Sequence, residues 1–445
     1  MLQRFLELID AAPTAAALID GRNGDVVTRA ALLARARAIA RTLDANGLRE
    51  GDLVALQLPN SPDFVAAILA ALERKLVIVP IDRDATEAEV GAILGHFDIK
   101  GFVYRSGVSS RAAARRAAIP PDARMIKLTS GSTGQPKGIV VSEANLIADA
   151  VNICATMDIR PDDVNFGAIP LSHSYGFSNL VTPLLVQGTA VVIANDYLPE
   201  SVIDLCNRHR ATVAPLIPMV FEHLRSATGD FESVRTFLSA GAPLSPSTSR
   251  KFRERFGRDI HSFYGCSECG GIAYDRDGGA VERGTVGTAM DNVELSIDAE
   301  RLVVRSDAVA LGYLIDADTF YPFRPNTFVA DDLAEITASG DVTLTGRASE
   351  QINTAGKKVN PREVEQVILQ IDGVRDAKVY GEPAGARGEV VAAAVVASPD
   401  VTRELVRDYC RSRLSSHKVP RIVKLIDVMP LDERGKVRRS ALAAL

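Results

Sequence analysis

The run Leu128-Thr129-Ser130-Gly131-Ser132-Thr133-Gly134-Gln135-Pro136-Lys137-Gly138 has the composition of an anion cradle. Glycine lets a backbone approach a phosphate closely, Ser and Thr add side-chain donors to converging N–H groups, and Lys137 adds positive charge. It is not a Walker A loop, because it lacks a Gly-Lys-Ser/Thr triplet. A flexible Ser/Gly linker is the bland alternative, but linkers rarely end in Pro-Lys-Gly ahead of a β-like Ile139-Val140-Val141. Phosphate binding is the chemistry expected here. Two other stretches carry reactive groups. Cys266-Ser267-Glu268-Cys269 contains a C-x-x-C, which suggests metal or redox work, yet no second pair and no nearby His completes a zinc site. Lys436 stands in the charged run Asp432-Glu433-Arg434-Gly435-Lys436-Val437-Arg438-Arg439, and such runs are usually solvated faces.

Positioning these groups takes ordered elements. The pattern predicts a helix over Arg29–Ala45, with Leu32, Leu33, Ala36, Ile39, Ala40 and Leu43 on one face, Thr28 as N-cap and Gly47 as the stop. A strand (53–58), a helix (61–73) and a strand (76–80) follow, an order that suggests a βαβ unit in a parallel sheet. The Ala/Arg-rich stretch 108–121 reads as a linker or a short surface helix. Alternating short strands and helices then run to about residue 345. The last hundred residues differ. Asn360-Pro361-Arg362-Glu363 opens a helix with Asn as N-cap and Pro at N1, and Val364, Val367, Ile368 and Ile371 keep one apolar face. A strand (389–396), a helix (403–414) and a strand (421–428) complete a small α+β module. The expected domains are therefore 1–347 and 348–445.

Composition narrows the class. At 445 residues the chain exceeds one compact core, and 47% hydrophobic with 24% charged residues excludes a largely disordered protein. A net charge of −5 argues against a general nucleic-acid binder, which needs a basic face. No apolar stretch reaches the roughly 20 residues of a membrane span. The start MLQRFLELID carries Arg4, Glu7 and Asp10 and so holds no secretory apolar region. Five cysteines make no disulfide framework. A soluble protein of a reducing compartment, the cytoplasm, is expected.

Six segments, in order, resemble the adenylate-forming superfamily of acyl- and aryl-CoA synthetases, carrier-protein adenylation domains and firefly luciferase. They are the hydroxyl/glycine loop, with Gly51-Asp52-Leu53-Val54-Ala55 and Pro59-Asn60-Ser61 ahead of it; Pro170-Leu171-Ser172-His173-Ser174-Tyr175-Gly176; Ser239-Ala240-Gly241-Ala242-Pro243-Leu244; Tyr264-Gly265-Cys266-Ser267-Glu268; Gly346-Arg347 with Gly356; and Gly435-Lys436. The resemblance covers nearly the whole chain. It implies an α/β fold: a large N-terminal domain of αβαβα-type layered subdomains plus a small β-barrel, and a smaller mobile α+β C-terminal domain. It also implies coupling of a carboxylate to ATP as an acyl-adenylate, with pyrophosphate released and the acyl group then passed to a thiol.

Carried onto this chain, the resemblance assigns the β- and γ-phosphates to Thr129, Ser130, Gly131, Ser132, Thr133, Gly134 and Lys137. Ser267 and Glu268 serve the α-phosphate and Mg²⁺, for which a glutamate is a suitable hard ligand. Tyr264 and Gly265 border the adenine, with Gly241, Ala242 and Pro243 on its other face, and Asp332 and Arg347 take the ribose. Lys436 bridges the acid and the α-phosphate, and Ser349 is the hinge. His173, Tyr175, Phe177, Pro218 and Gly241 line the acid pocket, His173 also counting among the catalytic candidates. Cys266 and Cys269 fall inside the adenylate motif and are read as incidental. The chain departs from the family at Ala330-Asp331-Asp332, where Thr-Gly-Asp is usual, at Ser349, at Asn353 and at Arg434. The hinge and Asn353 differences bear on the swivel and so on the thiol step.

The gate stretch Leu171-Ser172-His173-Ser174-Tyr175 holds no acid to pair with a substrate ammonium, and burying an unpaired ammonium is costly. An aryl or fatty acid without an α-amine is expected. The acceptor is coenzyme A or, alternatively, the phosphopantetheine of an acyl carrier protein. A non-catalytic acyl- or adenylate-binding homologue is the rival of another class; retention of Lys137, Glu268 and Lys436 speaks against it.

Overall fold

The computed structural model describes residues 1–112, 117–130, 136–195, 197–354, 357–383 and 389–430. The fold is mixed α/β, built on several sheets. It divides into two compact units, one of Met1–Leu295, Val303–Phe328 and Ala338–Val342, the other of Ser296–Leu302, Val329–Thr337 and Thr343–Leu445.

The first unit holds two large sheets. The eight-stranded one runs Thr319–Pro322, Gly312–Asp316, Pro136–Ser142, Ala123–Ser130, Val77–Pro80, Leu53–Gln57, Gly101–Tyr104, Gly107–Ser110. Its strands Leu53–Gln57 and Val77–Pro80 are parallel, as the strand–helix–strand pattern requires. The intervening helix Pro62–Glu73 is buried from Phe64 to Leu72, capped by Ser61 with Pro62 at its start. Helix Arg29–Ala45 begins at the cap read from sequence, with Ala31 N–H donating to the Thr28 hydroxyl. The start of the stretch 108–121 is neither linker nor helix: residues 107–110 are a strand. They form an edge strand paired antiparallel with Gly101–Tyr104, because that pairing satisfies backbone groups a polar loop would leave to water.

The nine-stranded sheet runs Thr288–Ala289, Gly270–Tyr274, Ile260–Cys266, Thr236–Ser239, Val213–Leu216, Val164–Gly167, Ala190–Ile193, Ala16–Asp20, Val26–Thr28. From Ile260–Cys266 to Ala16–Asp20 its neighbours are parallel. The chain leaves Val164–Gly167 towards Ala190–Ile193 on one side and returns to Val213–Leu216 on the other. Such a reversal of strand order opens a crevice at the carboxyl ends of the two flanking strands. Beneath it Phe221, Phe231, Phe237, Phe252 and Phe256 pack edge-on or tilted, with ring centroids 4.8–6.3 Å apart.

Four further strands, Glu294–Asp298, Arg301–Arg305, Thr327–Ile336 and Val342–Arg347, lie in that order in one sheet. In the second unit the strands Val374–Pro383, Glu389–Ala397 and Ile422–Ile426 form a sheet carrying helices Pro361–Ile368 and Arg403–Arg411 over a core that includes Val364, Ile368, Val379, Val395, Val406 and Val423. Asn360 caps the first helix through Arg362 N–H. Glu363 reaches Lys418 instead, at 2.6 and 2.7 Å. Among the described residues no helix is long and apolar enough to cross a membrane.

Candidate active site

Of the phosphate-loop residues, Thr129, Ser130 and Lys137 lie at the adjoining ends of two paired strands. Ala123–Ser130 and Pro136–Ser142 pair antiparallel, with Thr129 opposite Lys137 and Ser130 opposite Pro136. The Thr129 hydroxyl donates to Lys137 O at 3.4 Å. Gly131, Ser132, Thr133 and Gly134 lie outside the described residues, as does Lys436. Lys137 is set at the end of a strand whose following residues Ile139, Val140 and Val141 are all buried.

A second hairpin carries the acidic turn. Ile260–Cys266 and Gly270–Tyr274 pair antiparallel, Cys266 opposite Gly270, leaving Ser267, Glu268 and Cys269 as a three-residue turn. Such turns close through a left-handed residue, and Gly270 supplies it with φ +69°. A Cβ at position 270 would also lie 2.1 Å from Asp149 Oδ1. Asp149 comes from helix Glu143–Thr156 and is 2% exposed. Its Oδ1 accepts from Gly271 N–H at 2.9 Å and its Oδ2 from the Ser178 hydroxyl at 2.6 Å. The turn is thus held from below by one buried carboxylate.

The two hairpins meet through Tyr313. Strand Gly312–Asp316 lies beside Pro136–Ser142, with Tyr313 opposite Ile139. The Tyr313 hydroxyl donates to Glu268 Oε1 at 2.8 Å, and Lys137 Nζ stands 5.9 Å from the centre of the same ring. Burial, followed by the Glu268 carboxylate, pushes the Tyr313 phenol up, so it stays a donor. Ala310 N–H fixes the backbone of Glu268 by donating to its carbonyl at 2.8 Å. Ser267 and Ser174 hydroxyls touch at 2.7 Å. Lys137, Tyr313, Glu268, Ser267 and Ser174 therefore form one connected cluster. No group of three or more His, Cys, Asp or Glu among the described residues could hold a metal alone. The single carboxylate of the cluster, Glu268, is of the kind Mg²⁺ takes together with substrate phosphates and waters.

Of the acid-pocket candidates, Tyr175, Pro218 and Gly241 lie at the carboxyl ends of the neighbouring parallel strands Val213–Leu216 and Thr236–Ser239. The gate segment leaves the end of Val164–Gly167, and Pro218 begins the helix Pro218–Leu224 after Val213–Leu216. The Tyr175 hydroxyl reaches Leu216 O at 3.3 Å and Leu238 O at 3.2 Å, the ends of two neighbouring parallel strands. Burial pushes its phenol up. Gly241 (φ +89°), Ala242 and Pro243 follow Thr236–Ser239 and are exposed. Phe177 is wholly buried and packs in the hydrophobic core. Tyr264 and Gly265 lie on the strand that ends in the acidic turn. His173 Nε2 donates to Asp82 Oδ2 at 2.8 Å.

In the second unit Asp332 and Arg347 form an ion pair at 3.0 Å. Ser349 sits in a short 3₁₀ turn, Ala348–Glu350, where its N–H donates to Asp331 Oδ1 at 3.1 Å and its hydroxyl to Oδ2. Asp331 thus tethers the hinge candidate.

Sequence reading passed over three site residues: Tyr313, Asp149 and Asp82. Tyr313 follows Gly312 in an unremarkable strand, and Asp82 stands outside every recognised segment. Asp149 left one signal, an acid on the buried face of an amphipathic helix.

The family model described as AMP-binding enzyme matches residues 7–125 and 108–314, and the AMP-binding enzyme C-terminal domain model matches 363–436. A feruloyl-CoA synthase of Amycolatopsis sp is 26% identical over 457 residues, 93% of each chain. The long-chain-fatty-acid–CoA ligase FadD13 of Mycobacterium tuberculosis is 26% identical over 465 residues, 94% of this chain and 92% of that one. The crystal structure of ATP-bound MatB from Rhodopseudomonas palustris superposes with a TM-score of 0.83 at 25% identity, covering 100% of this chain and 98% of that one. With the hydroxyl/glycine hairpin, the Ser267-Glu268 turn and matched segments spanning both ends of the sequence, the chain belongs to the AMP-binding enzyme family.

Proposed function

We propose that this protein is an AMP-forming acid–thiol ligase that activates a carboxylic acid lacking an α-amine as an acyl-adenylate and transfers the acyl group to coenzyme A. The observation that carries this reading is the Tyr313 bridge, which brings Lys137 of the phosphate hairpin and Glu268 of the acidic turn into one cluster. Two anions must meet in this reaction, so catalysis consists mostly of fixed positive charge and N–H dipoles placed where negative charge develops. Lys137 and the hydroxyls around Thr129 take the outer phosphates. Ser267 orients the α-phosphate from its contact with Ser174. Mg²⁺, held by Glu268 together with the nucleotide, would neutralise phosphate charge. Lys436, on the C-terminal domain 348–445, approaches the acid carboxylate and α-phosphate, while Asp332 and Arg347 take the ribose hydroxyls and Ser349 is the pivot.

The acid enters at the crevice between Tyr175, Pro218 and Gly241. The carboxylate that meets the gate histidine, Asp82, lies outside the gate segment itself and accepts from His173. Acyl- and aryl-CoA relatives support coenzyme A as acceptor over a carrier protein. ATP–pyrophosphate exchange across a panel of aryl, fatty and amino acids tests the first half-reaction. Thioester formation with coenzyme A against an unloaded carrier protein tests the second. An amino acid that drives exchange better than every aryl and fatty acid would overturn the substrate class. Absence of exchange with all of them would overturn the enzyme reading.

A further inference from the structure

Cys266 and Cys269 flank the turn that presents Ser267 and Glu268, and the ligase chemistry uses neither. Their sulfurs are 3.1 Å apart. A disulfide spans about 2.05 Å, so the two need to close by only about 1 Å. Cys266 is half-buried and Cys269 wholly buried, whereas Cys154, Cys206 and Cys410 are each buried without a second cysteine beside them.

We propose that Cys266 and Cys269 are a redox-modification site, converted by a hydroperoxide to a disulfide that clamps the base of the turn and displaces Ser267 and Glu268 from the nucleotide. The electrons balance within the pair and the peroxide. The Cys266 sulfur, from the less buried residue of the pair, attacks a peroxide oxygen; the O–O bond breaks and one water leaves as the thiol becomes a sulfenic acid. The Cys269 sulfur then attacks that sulfur, the S–O bond breaks and a second water leaves. Two thiols lose two electrons and hydrogen peroxide gains them.

The turn cannot absorb the closure at its far end. Gly270 is pinned by its left-handed backbone and by Asp149 beneath it, and Gly271 N–H is bonded to the same carboxylate. With the Glu268 carbonyl also held by Ala310 N–H, the movement falls on the side-chain contacts of the turn, Ser267 to Ser174 at 2.7 Å and Glu268 to Tyr313 at 2.8 Å. A displacement of about 1 Å in a reacting site can cost on the order of 100-fold in rate.

The consequence for catalysis rests on the ligase reading; the disulfide does not. The full-length reduced protein is treated with excess hydrogen peroxide, then followed by peptide mass spectrometry, ATP–pyrophosphate exchange and calorimetry of ATP with magnesium. The expected result is loss of two hydrogens mapped to positions 266 and 269 and a fall in exchange of about 10- to 100-fold. Dithiothreitol restores the rate, and Cys266→Ser and Cys269→Ser proteins each keep their own rate through the same treatment. No disulfide at these positions, a disulfide with unchanged exchange, or an equal peroxide loss in both serine variants overturns the proposal. Should the reduced protein exchange with no acid, the ligase reading falls by itself, and calorimetry decides the pair. Weaker ATP binding after oxidation sustains the site; equal binding sinks it.

Discussion

Replacing Asp149 separates the support of the acidic turn from the turn itself. This carboxylate is 2% exposed and accepts two hydrogen bonds, from Gly271 N–H at 2.9 Å and the Ser178 hydroxyl at 2.6 Å. Asp149→Ala orphans both donors in a buried place, at about 1–3 kcal/mol each, so a loss of roughly 2–6 kcal/mol is expected. Asp149→Asn is nearly isosteric. Its amide oxygen can keep the Gly271 bond and its NH₂ can donate to Ser178 Oγ, because a hydroxyl also accepts. The asparagine should therefore cost only about 1 kcal/mol, the ordinary value of one weakened hydrogen bond. Urea unfolding of both variants reads this difference, and exchange protection of the Gly271 amide locates it at the hairpin. With the same pair, ATP KM should rise more in the alanine than in the asparagine protein. Equal stability of the two variants, or an alanine cost below about 1 kcal/mol, would refute the assignment of Asp149 as the carboxylate that supports the turn.

Lys436→Ala should lower adenylate formation by about 10²–10³-fold while largely sparing thioester formation from pre-made acyl-adenylate, as single-turnover assays of each step can show. Equal loss in both would remove the lysine from its role. Gly176→Ala places a Cβ 2.1 Å from Pro170 O, so the gate must distort; a loss of about 1–3 kcal/mol in urea stability is expected, and wild-type stability would contradict the packing. Asp163 is raised by burial but lowered more by bonds from Arg235, Arg160 N–H and Thr212, with a net value below the ordinary one. A lowered folded value gives stability that is complete above the unfolded value near 4 and disappears as pH falls through the folded one. The acid limb of a stability–pH profile should therefore flatten below about pH 4 in Asp163→Asn, and an unchanged limb would discount the network.

Local physics was legible and distant pairing was not. Helix Arg29–Ala45 came out with its cap because periodicity, Thr28 and Gly47 lie within one stretch of chain. The strand–helix–strand start came out within a residue or so at each end for the same reason. Residues 108–110 were misread as the start of a linker or short surface helix because their polar sequence carries no strand signal; a partner strand, Gly101–Tyr104, makes them one. The site divides likewise. Ser267 and Glu268 lie in a recognisable turn, whereas the groups that hold the turn and gate come from far along the chain. Tyr313 lies 45 positions from Glu268, Asp82 lies 91 from His173, and Asp149 lies 122 from Gly271. Such contacts depend on sheet order, which strand patterns alone do not specify.

In the proposed acid pocket, the Tyr175 hydroxyl at the ends of two strands would make size selection and sheet integrity a single property. Trimming that side chain to admit a bulkier acid takes a hydrogen-bond donor from both Leu216 and Leu238, at a cost of about 1 kcal/mol or more. Room for larger acids is more readily gained at Pro218 or around Gly241, which bear no such strap. Descendants of this sequence that drift towards new acids should keep the tyrosine and vary its neighbours.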